Sequence, residues 1–343
     1  MLRLLPERLY QGQLMDFHML RHHVVLAIHP STLRHLFLEN KDNLVRKSDF
    51  MEKALSPVLK DSLFINHGKT WRRRRTAISA FFKQSEVARF HPVFLQSAEE
   101  LVSLWSTSGV SGSREVTHDI RMATSRVMAR VLFGPDVQIE KVDALADLFS
   151  QFESARTVCP LSTLLGLPRH WEFPWGASQA AARELRSIAA SLLSEKAGDG
   201  LAQDIGNELA AAGELTGDSL LNETLMLMLA GSETSANAMA WTLFLLARYP
   251  EAMRDARTQI DSVASGLDLT PDILPELTQL RAVINEAMRL YPPVFMVPRQ
   301  AKEPFVFRHV EVQSGDTVAY MPWLMHRHRG LWHEADVFCP GRF

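Results

Sequence analysis

A carboxylic acid and an alcohol stand side by side at Glu233-Thr234, inside a long apolar stretch and just after Ala230-Gly231. An acid next to a hydroxyl can take up, hold and pass protons, and small residues let another group approach the backbone closely. The plainer reading of the same five residues is a packing glycine and a Glu that reaches solvent. A second constellation is Glu286-x-x-Arg289, three residues apart and therefore on one face of a helix. Leu290-Tyr291-Pro292-Pro293 follows it, then Val297-Pro298-Arg299, and the chain's last stretch reads Phe338-Cys339-Pro340-Gly341-Arg342-Phe343. Taken alone, a Glu-x-x-Arg pair is usually a solvated surface contact worth less than about 1 kcal/mol. A third constellation, Trp71-Arg72-Arg73-Arg74-Arg75, is basic, and basic residues are not favoured by the dipole at a helix start.

The element that must position the acid and alcohol is a helix over about 219–249. Asp218 and Ser219 can cap its start, and Tyr249-Pro250 ends it, since the residue before proline is pushed out of the α region. Apolar residues fall nearly all round it, which predicts burial on most sides. A glycine in its interior costs about 1 kcal/mol against alanine, and a buried carboxylate there must be paired, hydrated or protonated. A second helix over about 277–291 carries Glu286 and Arg289, with Leu280, Val283, Ile284, Ala287 and Met288 as its apolar stripe. Further helices are predicted from Pro30 to about Leu38, over about 85–106, 116–133, 140–156 and 177–196, and from Pro250 to about Val263. Residues 47–49 read as a polar loop, Pro160 to Trp175 as irregular, and the glycine-bearing stretch 198–217 as a loop. The β-branched run Val24 to Ile28 and the tail runs Phe305 to Phe307, Val310 to Val312 and Thr317 to Tyr320 predict a small sheet within a β-rich tail over about 292–343. The expected fold is mainly α with a small sheet, in one domain over 1–343.

Composition bounds the function. The 343 residues are 46% hydrophobic and 22% charged, ordinary for a globular protein. A net charge of −2 gives no global field favouring nucleic acid. The two cysteines, Cys159 and Cys339, lie far apart and frame no disulfide scaffold, which suits a reducing cytoplasm. Polar Asn222, Glu223, Ser232, Glu233 and Asn237 interrupt the central helix too often for a membrane span.

In their order and spacing these motifs resemble the cytochrome P450 family, the haem-thiolate monooxygenases. The matching segments are Ala230-Gly231-x-Glu233-Thr234, Glu286-x-x-Arg289 with Leu-Tyr-Pro-Pro, Val-Pro-Arg299, His326-Arg327 ahead of Trp332, Phe338-x-Pro340-x-Arg342-Phe343, and Trp71-x-x-x-Arg75. The likeness runs from about Val24 to the last residue. It implies the mainly helical fold of that family with haem b as cofactor. Gly231, beside Ala230, would let the central helix lie against the haem face. Glu233 and Thr234 would deliver protons during oxygen activation. Trp71, Arg75 and Arg299 would pair the haem propionates through charge-assisted hydrogen bonds, and His326 is either a further propionate contact or a structural residue of its loop. Glu286, Arg289 and Arg342 would form a buried ion-pair network that fixes one conformation.

The resemblance also implies insertion of one oxygen atom from dioxygen into an apolar substrate. Electrons would come from NAD(P)H through a separate ferredoxin or flavoprotein docking near Arg72, Arg73 and Arg74. Glu233 together with Arg-Leu-Tyr-Pro-Pro resembles the branch that includes lipid hydroxylases. The sequence departs from the family after Phe343, where a Phe-x-x-Gly-x-x-x-Cys-x-Gly segment would carry the thiolate that ligates iron. Neither Cys159 nor Cys339 stands at that position, so no metal ligand is assigned. The N-terminus also lacks the family's proline-rich lead-in. The expectation is a fold missing its last part and inactive as it stands, with a haem-less scaffold that only binds as the alternative.

Overall fold

The computed structural model describes residues 5–20, 22–44, 46–107, 114–155, 176–195, 200–264 and 270–343. Its chain opens with a hairpin of β1 (Leu14–Met19) and β2 (His22–Ala27) and the short α1 (Pro30–Arg34). Strand β3 (Arg46–Lys47), α2 (Asp49–Leu59), α3 (Gly68–Ser79) and α4 (Gln84–Ala88) follow. Next come α5 (His91–Thr107), α6 (Val116–Phe133), α7 (Ile139–Ala155), α8 (Gly176–Ser194) and α9 (Leu201–Ala211). The long α10 (Ser219–Arg248) precedes α11 (Pro250–Val263) and α12 (Thr278–Leu290). The tail holds β4 (Val297–Gln300), β5 (Phe305–Phe307), β6 (Val310–Val312), β7 (Thr317–Tyr320) and α13 (Pro322–Met325).

Helix α10 runs through the middle, its first half buried on every side with polar Asn222, Glu223 and Thr224 included. Leu225, Met226 and Met228 are buried with Leu132 and Phe133 of α6, Phe149 and Phe152 of α7, Leu185 of α8 and Leu209 of α9. Fully burying one such side chain is worth roughly 1.5–3 kcal/mol. The second half of α10 narrows to a stripe, Leu245 and Leu246, which meets Val283, Ala287 and Leu290 of α12 together with Phe338. Asp218 precedes the helix as expected, but its side chain makes no capping bond; Ser219 Oγ instead accepts from the Thr216 N–H at 2.9 Å.

The main sheet has the order β1-β2-β7-β4-β3, and β5 pairs only with β6. Strand β2 does not alternate because both its faces are covered. Val24, Leu26 and Ile28 pack with Met321 and Trp323 on one side, while Val25 and Ala27 pack with Leu36, Leu44 and Val318 on the other. Parallel pairing of β2 with β7 joins the N-terminal run to the tail, as the sequence predicts.

Several expectations are overturned, among them the polar loop at 47–49, which is the end of β3 and the start of α2. The stretch 198–217, read as a loop, contains α9, whose Leu201, Ala202, Ile205 and Leu209 form a buried stripe. Gly200 and Gly206 answer to close packing, whereas Gly213 and Gly217 hold positive φ in turns. A Cβ on Gly206 would stand 3.2 Å from Leu220 Cδ2, and one on Gly200 would stand 2.4 Å from the Leu132 carbonyl oxygen. The single helix expected over 85–106 is two, α4 and α5, interrupted at Arg89-Phe90. The stretch Pro160 to Trp175, with Cys159, lies outside the described residues. No described helix is long and apolar enough to cross a membrane.

Candidate functional site

Midway along α10, Ala230, Gly231, Glu233 and Thr234 are half-buried and Ser232 is buried. The hydroxyls are satisfied within the helix: Ser232 Oγ donates to the Met228 carbonyl and Thr234 Oγ1 to the Ala230 carbonyl, both at 2.6 Å. A hydroxyl has one proton and two lone pairs, so Thr234 Oγ1 keeps acceptor capacity for another group.

Gly231 is required by a neighbouring helix. A Cβ there would stand 2.4 Å from Met128 Sδ of α6, so the missing side chain lets α6 and α10 close on each other. The direction in which this glycine yields space is therefore α6.

Glu233 also turns to α6, where Arg121 Nε lies 3.2 Å from its Oε1. Arg121 Nη1 is steadied by Ser150 Oγ of α7 at 3.3 Å. Burial pushes the Glu233 carboxyl above its ordinary value, the nearby Glu153 charge adds to this, and Arg121 opposes it. The group thus holds a proton more readily than an exposed glutamate does.

A cationic edge forms where α3 meets the main sheet. Lys47 of β3 and Arg299 of β4 are directly opposed in an antiparallel pair. Lys47 Nζ lies 5.7 Å from the centroid of the Trp71 ring. Burial, then the charges of Arg299 and Arg75, push the Lys47 ammonium down to about 8. Burial also holds Arg299 below its usual range, and its Nη1 donates only to the Pro298 carbonyl, at 2.9 Å. Lys47, Arg75 and Arg299 form no ion pair with any described carboxylate. Three cations act on one another here, one of them over an indole and two of them desolvated, and with no ion pair to a described carboxylate they favour an anion. The propionates of haem fit this donor set. Arg75 and Arg299 act on Lys47, which lies over Trp71; Lys47 was read only as a loop residue. Its signal was its place opposite Arg299, visible once β3 and β4 are paired.

His326 lies against α12 and its own loop. Its neighbours are Arg289, Met288 and Arg327, and burial lowers its imidazole so that the ring stays neutral near pH 7. Its backbone carbonyl accepts from Arg289 Nη1 at 2.7 Å, while its Nδ1 is buried without a partner.

The Glu286 network is assembled. Arg289 grips Glu286 with two bonds, Nε to Oε2 at 2.6 Å and Nη2 to Oε1 at 2.7 Å, and the two are 2% and 0% exposed. Arg289 Nη1 also donates to the Ala335 carbonyl at 2.7 Å, and Nη2 to Val337 at 3.1 Å. Arg342 Nε reaches Glu286 Oε1 at 3.3 Å, and the Cys339 N–H donates to the same oxygen at 2.9 Å. One helix thereby holds the loop before the chain's last residues by its backbone. Cys339 itself is exposed and belongs to this loop.

The basic run is not one surface. Arg72 and Arg73 are exposed, but Arg74 is 2% exposed and cannot meet a docking partner, contrary to the expectation for all three. Its Nη1 donates to Glu223 at 3.1 Å and to the Asp61 carbonyl at 2.7 Å, and its Nε to Glu214 at 3.4 Å. The cause is helix period: Arg74, Ala77 and Ile78 share the buried face of α3.

The family profile described as Cytochrome P450 matches residues 7–343. Among characterised relatives, the chain is 25% identical to cyclooctat-9-en-7-ol 5-monooxygenase of Streptomyces melanosporofaciens over 97% of its own length and 72% of that enzyme. It is likewise 25% identical to cyclooctatin synthase of the same organism, over 97% of this chain and 73% of that one. A solved zebra fish cytochrome P450 structure with progesterone matches at TM-score 0.81 and 17% identity, covering 96% of this chain and 81% of the other, a likeness of fold.

Proposed function

The chain belongs to the cytochrome P450 family, and from that premise we propose that it serves haem-dependent monooxygenation of an apolar organic substrate. Electrons would come from NAD(P)H through a separate ferredoxin or flavoprotein. The observation that carries this reading is the clustering of Arg75 and Arg299 about Lys47, which lies over Trp71, with no ion pair to any described carboxylate. In the proposed role these cations bind and orient the haem propionates, and Trp71 adds an N–H donor. When bound, haem supplies the iron that activates dioxygen; neither cysteine of this chain is assigned as its ligand.

The protein's own part lies on α10. Glu233, held by Arg121 and raised in proton affinity, would take a proton from solvent at a carboxylate oxygen and release it inward after its side chain turns from Arg121. Thr234 Oγ1 would accept a hydrogen bond from water or another donor while its own O–H keeps donating to the Ala230 carbonyl. The exposed Arg72 and Arg73 are the proposed contacts for an acidic electron donor. One relative acts, by its name, on cyclooctat-9-en-7-ol, which favours an apolar alcohol or hydrocarbon as substrate class.

The test is a haem titration of the full chain, followed by quenching of tryptophan emission and by haem retained through gel filtration. Saturation at one equivalent, weakened at least tenfold by Arg299→Gln with Lys47→Met, supports the reading. Absence of saturable binding, or binding untouched by the pair of substitutions, contradicts it.

A further inference from the structure

A cavity of about 410 Å3 lies between the N-terminal segment and the loop after α13, with Arg327 in its wall. That volume falls in the range of small-molecule pockets, roughly 300–1,000 Å3. Arg327 is 6% exposed, and its Nη1 is buried without any hydrogen-bond partner. A buried guanidinium left in this state is costly unless something accepts from it.

Its faces are already taken. Cζ lies 3.5 Å from the centroid of the Trp323 ring and 5.5 Å from that of Tyr291. What remains is the planar edge of N–H groups, whose fork matches a carboxylate. The nearby carboxylates serve it only through an ion pair. Arg329 takes Glu7 at 2.7 Å and Asp336 at 2.6 Å, while Arg327 Nε stands 3.6 Å from Asp336, beyond hydrogen-bond length. The two guanidiniums and two carboxylates balance in charge, but Arg327 is only ion-paired, with its Nη1 left without a hydrogen bond, and the Glu7 and Asp336 carboxylates nearby disfavour a dianion. Tyr10, Tyr291, Trp323 and Leu5 give the rest of the wall an apolar, largely aromatic character.

We propose that this cavity binds a small monocarboxylate with an aromatic or short alkyl body, its carboxylate on the edge of Arg327 and its body against Trp323 and Tyr10. The site is separate from the cationic edge at Trp71, and none of its lining residues is used in the proposed oxygen chemistry.

Calorimetric titration of the full chain with benzoate, hexanoate, benzamide and inorganic phosphate tests this. The expected result is saturable binding of benzoate or hexanoate at one equivalent, at least tenfold weaker for benzamide and for phosphate. Arg327→Gln should weaken it at least tenfold, and Arg299→Gln should leave it unchanged. No saturable binding, equal binding of benzamide or phosphate, insensitivity to Arg327→Gln, or loss on Arg299→Gln would overturn the proposal. Should Arg327→Gln fail to fold, a hexanoate bearing a diazirine is photolysed on the unaltered protein. Label on peptides carrying Tyr10, Tyr291 or Trp323 supports the site, and label only elsewhere overturns it.

Discussion

Lys47 and Arg299 face each other across an antiparallel strand pair, two cations in register with no carboxylate between them. Like charges directly opposite on a sheet oppose pairing, and burial of both side chains adds to the cost. Such an arrangement is tolerated where an anion relieves it.

The first prediction concerns stability against pH. The folded-state value of Lys47, about 8, lies below the ordinary 10.5. The unfolded chain therefore binds more protons between these values, and stability without ligand should rise with pH across that window. At pH 7 Lys47→Met should be more stable than the unaltered chain, with the advantage shrinking from pH 8 toward 10.5. Urea denaturation at a series of pH values checks this; a constant difference would count against desolvation of Lys47.

A second prediction separates Arg74 from its neighbours. Arg74→Met leaves Glu223, which is 0% exposed, without its cation and should cost about 3–5 kcal/mol in denaturant unfolding. Arg72→Glu lies on the surface and should change stability by no more than about 0.5 kcal/mol. Combined with Arg73→Glu, it should slow reduction by an acidic electron donor and flatten the salt dependence of that rate. Equal stability losses at positions 72 and 74 would refute the division.

Gly231→Ala should destabilise by about 1–3 kcal/mol, because its Cβ would fall 2.4 Å from Met128 Sδ. The loss should largely vanish in a Met128→Ala background, where the clashing sulfur is gone. A double-mutant cycle reads this coupling directly. Additive effects would mean that Gly231 meets something other than α6.

The fourth prediction is for Glu233. Its folded-state proton affinity is raised, so its ionisation works against folding as pH climbs through the window above 4.5. Glu233→Gln should therefore be more stable than the unaltered chain at pH 7, with the difference fading as pH falls to 4.5. Arg121→Gln should raise the Glu233 value further, visible as a shift in its carboxyl titration by 13C NMR.

Much of this architecture could be read from the chain. Helices α10 and α12 announce themselves by length, periodicity and the proline that ends each. Strands β5, β6 and β7 stand out as β-branched or aromatic runs between turns. Helix α9 was hidden because Gly206, which makes room for Leu220, looks in sequence like a breaker. Strands β3 and β4 were hidden because Arg46-Lys47 and Val297-Pro298-Arg299-Gln300 carry little β pattern and acquire it only by pairing. The motif residues at Trp71 and Glu233 were legible, as was Glu286 with its partners Arg289 and Arg342, whereas several other neighbours were not. Lys47, Arg121 and Arg327 are set by contacts between elements distant in sequence. Arg74 was legible in principle, since Arg74, Ala77 and Ile78 recur at helical spacing.

The most direct test of the haem-edge reading is the affinity of the full chain for haem before and after the cations at Trp71 are removed. The expected result is one equivalent bound by the unaltered chain and at least a tenfold loss when Lys47→Met and Arg299→Gln are combined, with Arg72→Glu as an unaffected control. Equal affinity in all three proteins would contradict the assignment of this edge to the haem propionates.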